Sequence, residues 1–239
     1  MQNSDFKKTA LVTGGAAGLG REISIALGSK FKVAVHYNSS QSDAESIENE
    51  IDECSLFKED LTYPGAAARL ISRVINHFGD LDLLINSAAI FQKDDSSLSE
   101  LAKMKMINVD APEKLINAAL PHLEKSSGKI INIGDIAGIH PFKEYKAYSK
   151  SKTELIKLTQ NMALSLAFKK VCINVICPGI ISLQDNIKIN EAEKLKSKIP
   201  LGRFGNPKDV TRTVLFLSAS DFITGQIISV DGGRLLNYS

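Results

Sequence analysis

The chain has 239 residues, 44% of them hydrophobic, and 29 Lys and Arg nearly balance 27 Asp and Glu. That length and apolar content suit one sizeable core. The balanced charge shows no Lys/Arg stripe, so neither a nucleic-acid nor a membrane partner is expected, and the apolar runs are too short to span a bilayer.

Along the chain, short Val-, Ile- and Leu-rich runs alternate with amphipathic stretches. Strands are predicted at 9–13 (TALVT), 32–37 (KVAVHY), 54–59 (CSLFKE), 81–86 (LDLLIN), 129–134 (KIINIG), 171–177 (VCINVIC) and 226–230 (QIISV). Their nearly continuous apolar character is that of strands covered on both faces. Helices are predicted at about 18–29, 41–51, 64–78, 98–122, 147–168 and 207–218. Repeated strand–helix–strand units predict an α/β fold, a parallel sheet with helices on both faces, in one domain over residues 1–239. The polar stretch 182–200 reads as an insertion hanging over the carboxyl ends of the strands, a substrate lid. The polar start MQNSDFKK has no apolar signal region, and Cys54, Cys172 and Cys177 are an odd number without metal spacing. Free thiols in a reducing compartment, a cytoplasmic protein and no metal site are the expectation.

After the first strand comes TGGAAGLG, residues 13–20. Gly14, Gly18 and Gly20, with Leu19 between the last two, sit where strand turns into helix. Glycine there permits positive φ and close approach of a pyrophosphate, which the helix N-terminus attracts. A dinucleotide site is therefore expected. The second strand ends His36-Tyr37-Asn38-Ser39-Ser40, without the acid that would bind a free ribose 2′-hydroxyl. Hydroxyls and an amide suit a 2′-phosphate, so NADPH/NADP is favoured over NAD. No Arg or Lys lies in this stretch, and Arg21 or another residue is expected to supply the positive charge.

Tyr148 and Lys152 stand four residues apart on a predicted helix and share a face. A phenol near pKa ~10 is a poor proton shuttle at neutral pH, and a nearby ammonium lowers that value. The same Lys can hold a ribose hydroxyl. Tyr145 lacks such a partner, since Ser149 follows it at that spacing.

Further pieces recur in order: Asp60-Leu61 after the third strand, Asn86-Ser87-Ala88-Ala89 after the fourth, Asn108 in MINVDAP, Cys177-Pro178-Gly179, and ITGQIISVDGG near the end. With the glycine turn and Tyr148–Lys152, they make the chain resemble the short-chain dehydrogenases/reductases over about residues 8–234. The resemblance implies a Rossmann-type doubly wound sheet of seven parallel strands, hydride transfer from a nicotinamide, and a homotetramer or homodimer. It implies that Asp60 and Leu61 contact adenine, and that Asn86, Ser87 and Ala88 support the adenosine ribose. Asn108 would kink its helix around a water linking Lys152 to solvent. Pro178 and Gly179 would border the nicotinamide. Ala89 and Leu183 depart from the family's commoner Gly and Thr.

In most of that family a Ser stands thirteen residues before the catalytic Tyr and donates a hydrogen bond to a substrate carbonyl. Here that position is Asp135, in IINIGDIAG (130–138). An ionised carboxylate only accepts hydrogen bonds and would repel the oxyanion formed by ketone reduction. It suits a substrate with N–H groups to orient and a C=N bond to reduce. Asp135, the HYNSS stretch, the DGGR near the end and Phe91, five residues after Asn86, resemble the pteridine reductases and related dihydromonapterin and dihydrofolate reductases. The leading expectation is an NADPH-dependent reductase of a pterin-like C=N bond. Asp135, Tyr148, Lys152 and Asn108 would be its catalytic residues, and Phe91, Asp135, Tyr148 and Leu183 its substrate contacts. A carbonyl reductase of 3-oxoacyl, quinone or ketone substrates is the alternative, and a catalytically silent NADP(H)-binding sensor is a third reading.

Overall fold

The computed structural model describes residues 7–94, 96–181 and 189–237. Seven parallel strands form one sheet: β1 (Lys8–Thr13), β2 (Phe31–Tyr37), β3 (Cys54–Lys58), β4 (Leu83–Asn86), β5 (Lys129–Ile133), β6 (Cys172–Pro178) and β7 (Ile227–Val230), in the order β3-β2-β1-β4-β5-β6-β7. The order reverses between β1 and β4, so the loops after those strands diverge and leave a crevice at their carboxyl ends.

Alternation along the strands builds two cores. Leu11, Leu84, Ile130 and Ile173 face α3 (Ala66–Phe78), α5 (Ala111–Ser126) and α6 (Lys146–Ala167), where Leu70, Leu115 and Leu166 meet them. Val12, Val33, Ile85 and Ile131 point the other way, toward Ile23 and Leu27 of α1 (Gly18–Gly28), Ile47 of α2 (Gln41–Ile47) and Val210 and Val214 of α8 (Pro207–Ser218). Both faces of the sheet are thus covered, which is why the strands read as apolar runs.

Two elements differ in form from expectation, the first at the kink that the resemblance implied for Asn108. The helix predicted at 98–122 is α4 (Leu98–Lys105) and α5, joined by a π turn over Met106–Asp110. The turn widens around Asn108, whose buried carboxamide bonds the backbone of Ile90 on a neighbouring loop (N–H to Oδ1 2.8 Å, Nδ2 to O 2.9 Å). Within the stretch read as a lid, α7 (Ile189–Lys196) is helical. Ser182 and Leu183, with the substrate contact expected of Leu183, lie outside the described residues. Among the described residues no helix is long and apolar enough to cross a membrane.

Candidate active site

The crevice between β1 and β4 opens into a cavity of about 840 Å³. The glycine turn, Tyr37–Ser40, Asp60-Leu61, Ser87, Ala88 and Phe91 line it, with Asp135, Tyr148, Lys152 and Pro178-Gly179. Most of the residues singled out from sequence therefore meet in one place. Asn86 and Asn108 do not line it; they brace it from below.

The turn has no room for side chains. Gly14 adopts φ +61°, and a Cβ there would come within 2.8 Å of Ala88 Cα. A Cβ on Gly20 would strike the Gly14 carbonyl oxygen. His36 fastens the turn from β2. Its Nδ1 accepts from Gly14 N–H at 3.1 Å and its carbonyl from Gly15 N–H at 2.9 Å. Its Nε2 donates to Glu59 O at 2.9 Å, an arrangement that needs the neutral ring. Burial lowers the His36 pKa, in agreement. No acid stands in the first turn of α1, so its free N–H groups face the cavity unopposed. Bare backbone, close packing and a helix N-terminus fit a pyrophosphate.

The charge expected from Arg21 is not available there. Arg21 is ion-paired with Glu50, and it does not line the cavity. A residue the sequence did not suggest, Lys103 of α4, does line it, at the adenosine end with Asn38 and Asp60. Burial raises the Asp60 carboxyl, but hydrogen bonds from the Thr62 N–H and hydroxyl, the Lys103 charge and Asn38 outweigh it and hold it below the usual range.

At the opposite end Asp135 does two jobs. Its Oδ1 accepts from Ala137 N–H at 2.7 Å, capping the short 3-10 turn Ile136–Gly138. Its Oδ2 accepts from the Tyr148 hydroxyl at 2.8 Å. The acid is thus an N-cap and the phenol's partner at once. Burial raises its pKa despite Ala137 N–H, Tyr148, Lys152 and Arg234, all of which oppose. Lys152 is buried, donates to Ile133 O at 2.9 Å, and holds its Nζ 5.7 Å from the Tyr148 ring centre. Burial lowers its pKa, with Asp135 opposing.

The Tyr148 phenol is pushed up, not down, first by burial and then by Asp135. The expected depression by Lys152 is overturned because burial disfavours the phenolate and the Asp135 carboxyl faces the hydroxyl, while the ammonium bonds a backbone carbonyl. Besides Ile90, Asn108 Nδ2 bonds Ser151 Oγ at 3.0 Å, one residue before Lys152. Asn86 Nδ2 turns to Asn132 Oδ1 at 2.8 Å, and Asn132 in turn to Thr159 at 2.8 Å, a buried ladder across β4, β5 and α6. Phe91 stacks on Tyr145 (4.5 Å, 13°) and meets Tyr148 edge-on (4.6 Å, 88°). Tyr145, without a proton role in the sequence pattern, is part of this aromatic wall.

A family profile described as enoyl-(acyl carrier protein) reductase matches residues 14–234. A diacetyl reductase, (S)-acetoin forming, of Staphylococcus epidermidis is 34% identical over 95% of this chain and 98% of its own. A 3-oxoacyl-[acyl-carrier-protein] reductase of Staphylococcus aureus is 32% identical over 96% and 98%. Among solved structures, acetoin dehydrogenase from Enterobacter cloacae superposes with a TM-score of 0.88 at 27% identity, covering 98% of both chains. A blue fluorescent protein from a metagenomic library, in complex with NADPH, gives 0.89 at 28%, covering 98% of this chain and 99% of that one. The diacetyl and 3-oxoacyl reductases are named for carbonyl substrates, and none of these names is that of a pteridine reductase. Matched over nearly its whole length by profile and relatives alike, the chain belongs to the short-chain dehydrogenase/reductase family of oxidoreductases.

Proposed function

We propose that the protein reduces a carbonyl compound with NADPH, the reading held second on sequence alone. The observation that carries it is the part-buried Asp135–Tyr148 contact at 2.8 Å, beside Lys152 and at the end of a cleft shaped for a dinucleotide. The relatives' names support a carbonyl in preference to a C=N bond.

The glycine turn would hold the pyrophosphate, Asn38, Ser39 and Ser40 the 2′-phosphate, and Asp60 and Leu61 the adenine. Lys152 would take a ribose hydroxyl, and Pro178 and Gly179 would border the nicotinamide. When bound, the reduced nicotinamide supplies a hydride to the carbonyl carbon. Tyr148 gives its proton to the carbonyl oxygen, so C=O becomes CH–OH, and the phenolate is reprotonated from solvent. Burial favours the neutral form of Asp135. A neutral carboxyl is a hydrogen-bond donor, and it can serve the substrate oxygen as the family's Ser hydroxyl does. The Asp135–Tyr148 bond is then exchanged for two bonds to that oxygen, and no anion faces the developing oxyanion.

Preference for NADPH is supported by the acid-free end of β2. A homodimer or homotetramer is supported by Leu164, exposed on α6, and Phe168, exposed just after it. Cytoplasmic residence is supported by the three free cysteines. A pterin-like substrate stays as a second reading, favoured by the aromatic wall and by the carboxyl itself.

The test is NADPH oxidation with diacetyl, a 3-oxoacyl thioester and a dihydropterin, using wild type and Tyr148→Phe. The wild type should consume NADPH with a ketone. Tyr148→Phe should lose about 10²- to 10⁴-fold in rate while still binding NADPH. Turnover on the dihydropterin alone would overturn the proposal in favour of the second reading.

A further inference from the structure

His36, near the end of β2, joins two loops of the cleft. On one side is the glycine turn. His36 Nδ1 lies 3.1 Å from the Gly14 nitrogen, and its carbonyl accepts from Gly15 N–H at 2.9 Å. On the other side is the loop after β3. His36 Nε2 lies 2.9 Å from the Glu59 carbonyl oxygen, and Glu59 N–H donates to Tyr37 O at 3.0 Å. Asp60 and Leu61 follow directly. Both loops line the cavity, and His36 lines it between them. One imidazole thus bridges the turn that fits the pyrophosphate and the loop expected at the adenine.

The bridge depends on one proton. A backbone N–H only donates and a carbonyl only accepts, so a bare Nδ1 and a protonated Nε2 satisfy both partners. A second proton, on Nδ1, sets two donors against each other across 3.1 Å. The ring is buried, which leaves it little solvent to turn to. The turn has little room to yield, since a Cβ on Gly14 would already meet Ala88 and one on Gly20 the Gly14 carbonyl oxygen. Among the groups facing the ring, burial is the largest influence and opposes the imidazolium, and Arg73 of α3 adds to it. The Glu59 carbonyl and the charges of Glu59 and Asp60 favour the imidazolium. The glycine turn, residues 13–20, carries no titratable side chain.

We propose that His36 is a positioning residue for the dinucleotide: its neutral ring holds the pyrophosphate turn and the adenine loop in register, and protonating it weakens cofactor binding. The inference rests on the dinucleotide site and holds whichever bond is reduced. It acts through backbone, so it reaches NAD(H) and NADP(H) alike.

The experiment measures the Kd of NADP⁺ for the full-length protein by calorimetry from about pH 8 down to about pH 5, the span over which a histidine changes charge. The cofactor's own 2′-phosphate titrates near pH ~6, so the comparison is between proteins at each pH. His36→Asn places an oxygen where Nδ1 stands and cannot gain a proton. On acidification the wild type should weaken about three- to tenfold more than His36→Asn. His36→Leu removes the acceptor and should be weak across the whole range. In the wild type without cofactor, the Gly14 amide resonance should shift as the His36 ring titrates, a measurement that needs no variant. Equal pH dependence of Kd in wild type and His36→Asn, or a Gly14 amide indifferent to the ring, overturns the role of His36 and leaves the dinucleotide site standing. No binding of NADP⁺ or NAD⁺ at any pH overturns both.

Discussion

Replacing Gly20 by Ala tests the glycine turn most directly. In an open helix the exchange gains about 1 kcal/mol. Here the new methyl would strike the Gly14 carbonyl oxygen and lie 2.9 Å from the Gly14 carbonyl carbon. Carbon atoms settle at about 3.5–4.0 Å, so that carbon must retreat by roughly 0.6–1.1 Å. Ser24 resists the movement, since its Oγ donates to the carbonyls of both Gly15 and Gly20 at 3.0 Å. Such a retreat carries the Gly14 N–H to His36 bond, now 3.1 Å, past hydrogen-bonding range. Overpacking costs about 1–3 kcal/mol and the unmade buried bond about 1–3, so the net destabilisation is about 1–5 kcal/mol. At roughly 2–4 °C per kcal/mol, a thermal melt resolves it. A turn displaced this far also misplaces an N–H aimed at the pyrophosphate. One such charge-assisted bond is worth about 1.5–3 kcal/mol, or roughly 10- to 150-fold in Kd, read from NADPH fluorescence. Wild-type melting together with wild-type Kd would refute the close-packing argument.

Two further outcomes are expected. Asp135 has a folded-state pKa raised by burial above its ordinary 3.8, so its contribution to stability is fully present below that value and is lost as pH rises through the raised one. Asp135→Asn cannot ionise and keeps an oxygen for Ala137 N–H; its melting temperature should gain on the wild type with rising pH, and a pH-independent difference would contradict the assignment. Lys103→Ala should weaken NADPH about two- to fivefold at low salt and NADH less, the difference vanishing at high salt; equal weakening of both would detach Lys103 from the 2′-phosphate.

The strands were legible because burial on both faces writes itself as unbroken apolar runs, and their predicted ends fall within a residue or two of those observed. The strand order was not in that pattern; it entered only through the motif resemblance. A kink at Asn108 entered through the resemblance, but its form, a π turn, escaped because one extra residue hardly changes helical spacing, and its partner, the backbone of Ile90, lies on another loop. Arg21 misled through nearness in sequence to the glycine turn; its side chain pairs with Glu50, whereas Lys103 arrives on a helix that follows β4, beyond the strand reversal. The Tyr148 shift was misread in sign because spacing placed Lys152 on the right face but said nothing of burial or of which groups each side chain already bonds. Asp135 capping Ala137 was legible in principle, since an acid two residues before the N–H it accepts is a local pattern.

The reversal of strand order has a consequence for how this protein can diversify. Cavity residues from Gly14 to Leu61 come from the strands on one side of the reversal, and those from Ser87 onward from the other side or the loops above it. Apart from Ser87, Ala88 and Lys103, the groups expected at the adenosine end belong to the earlier length of chain, and every group around the reacting carbon belongs to the later one. A recombination joint within α3, which separates the two, would exchange nucleotide choice and substrate choice as nearly independent cassettes.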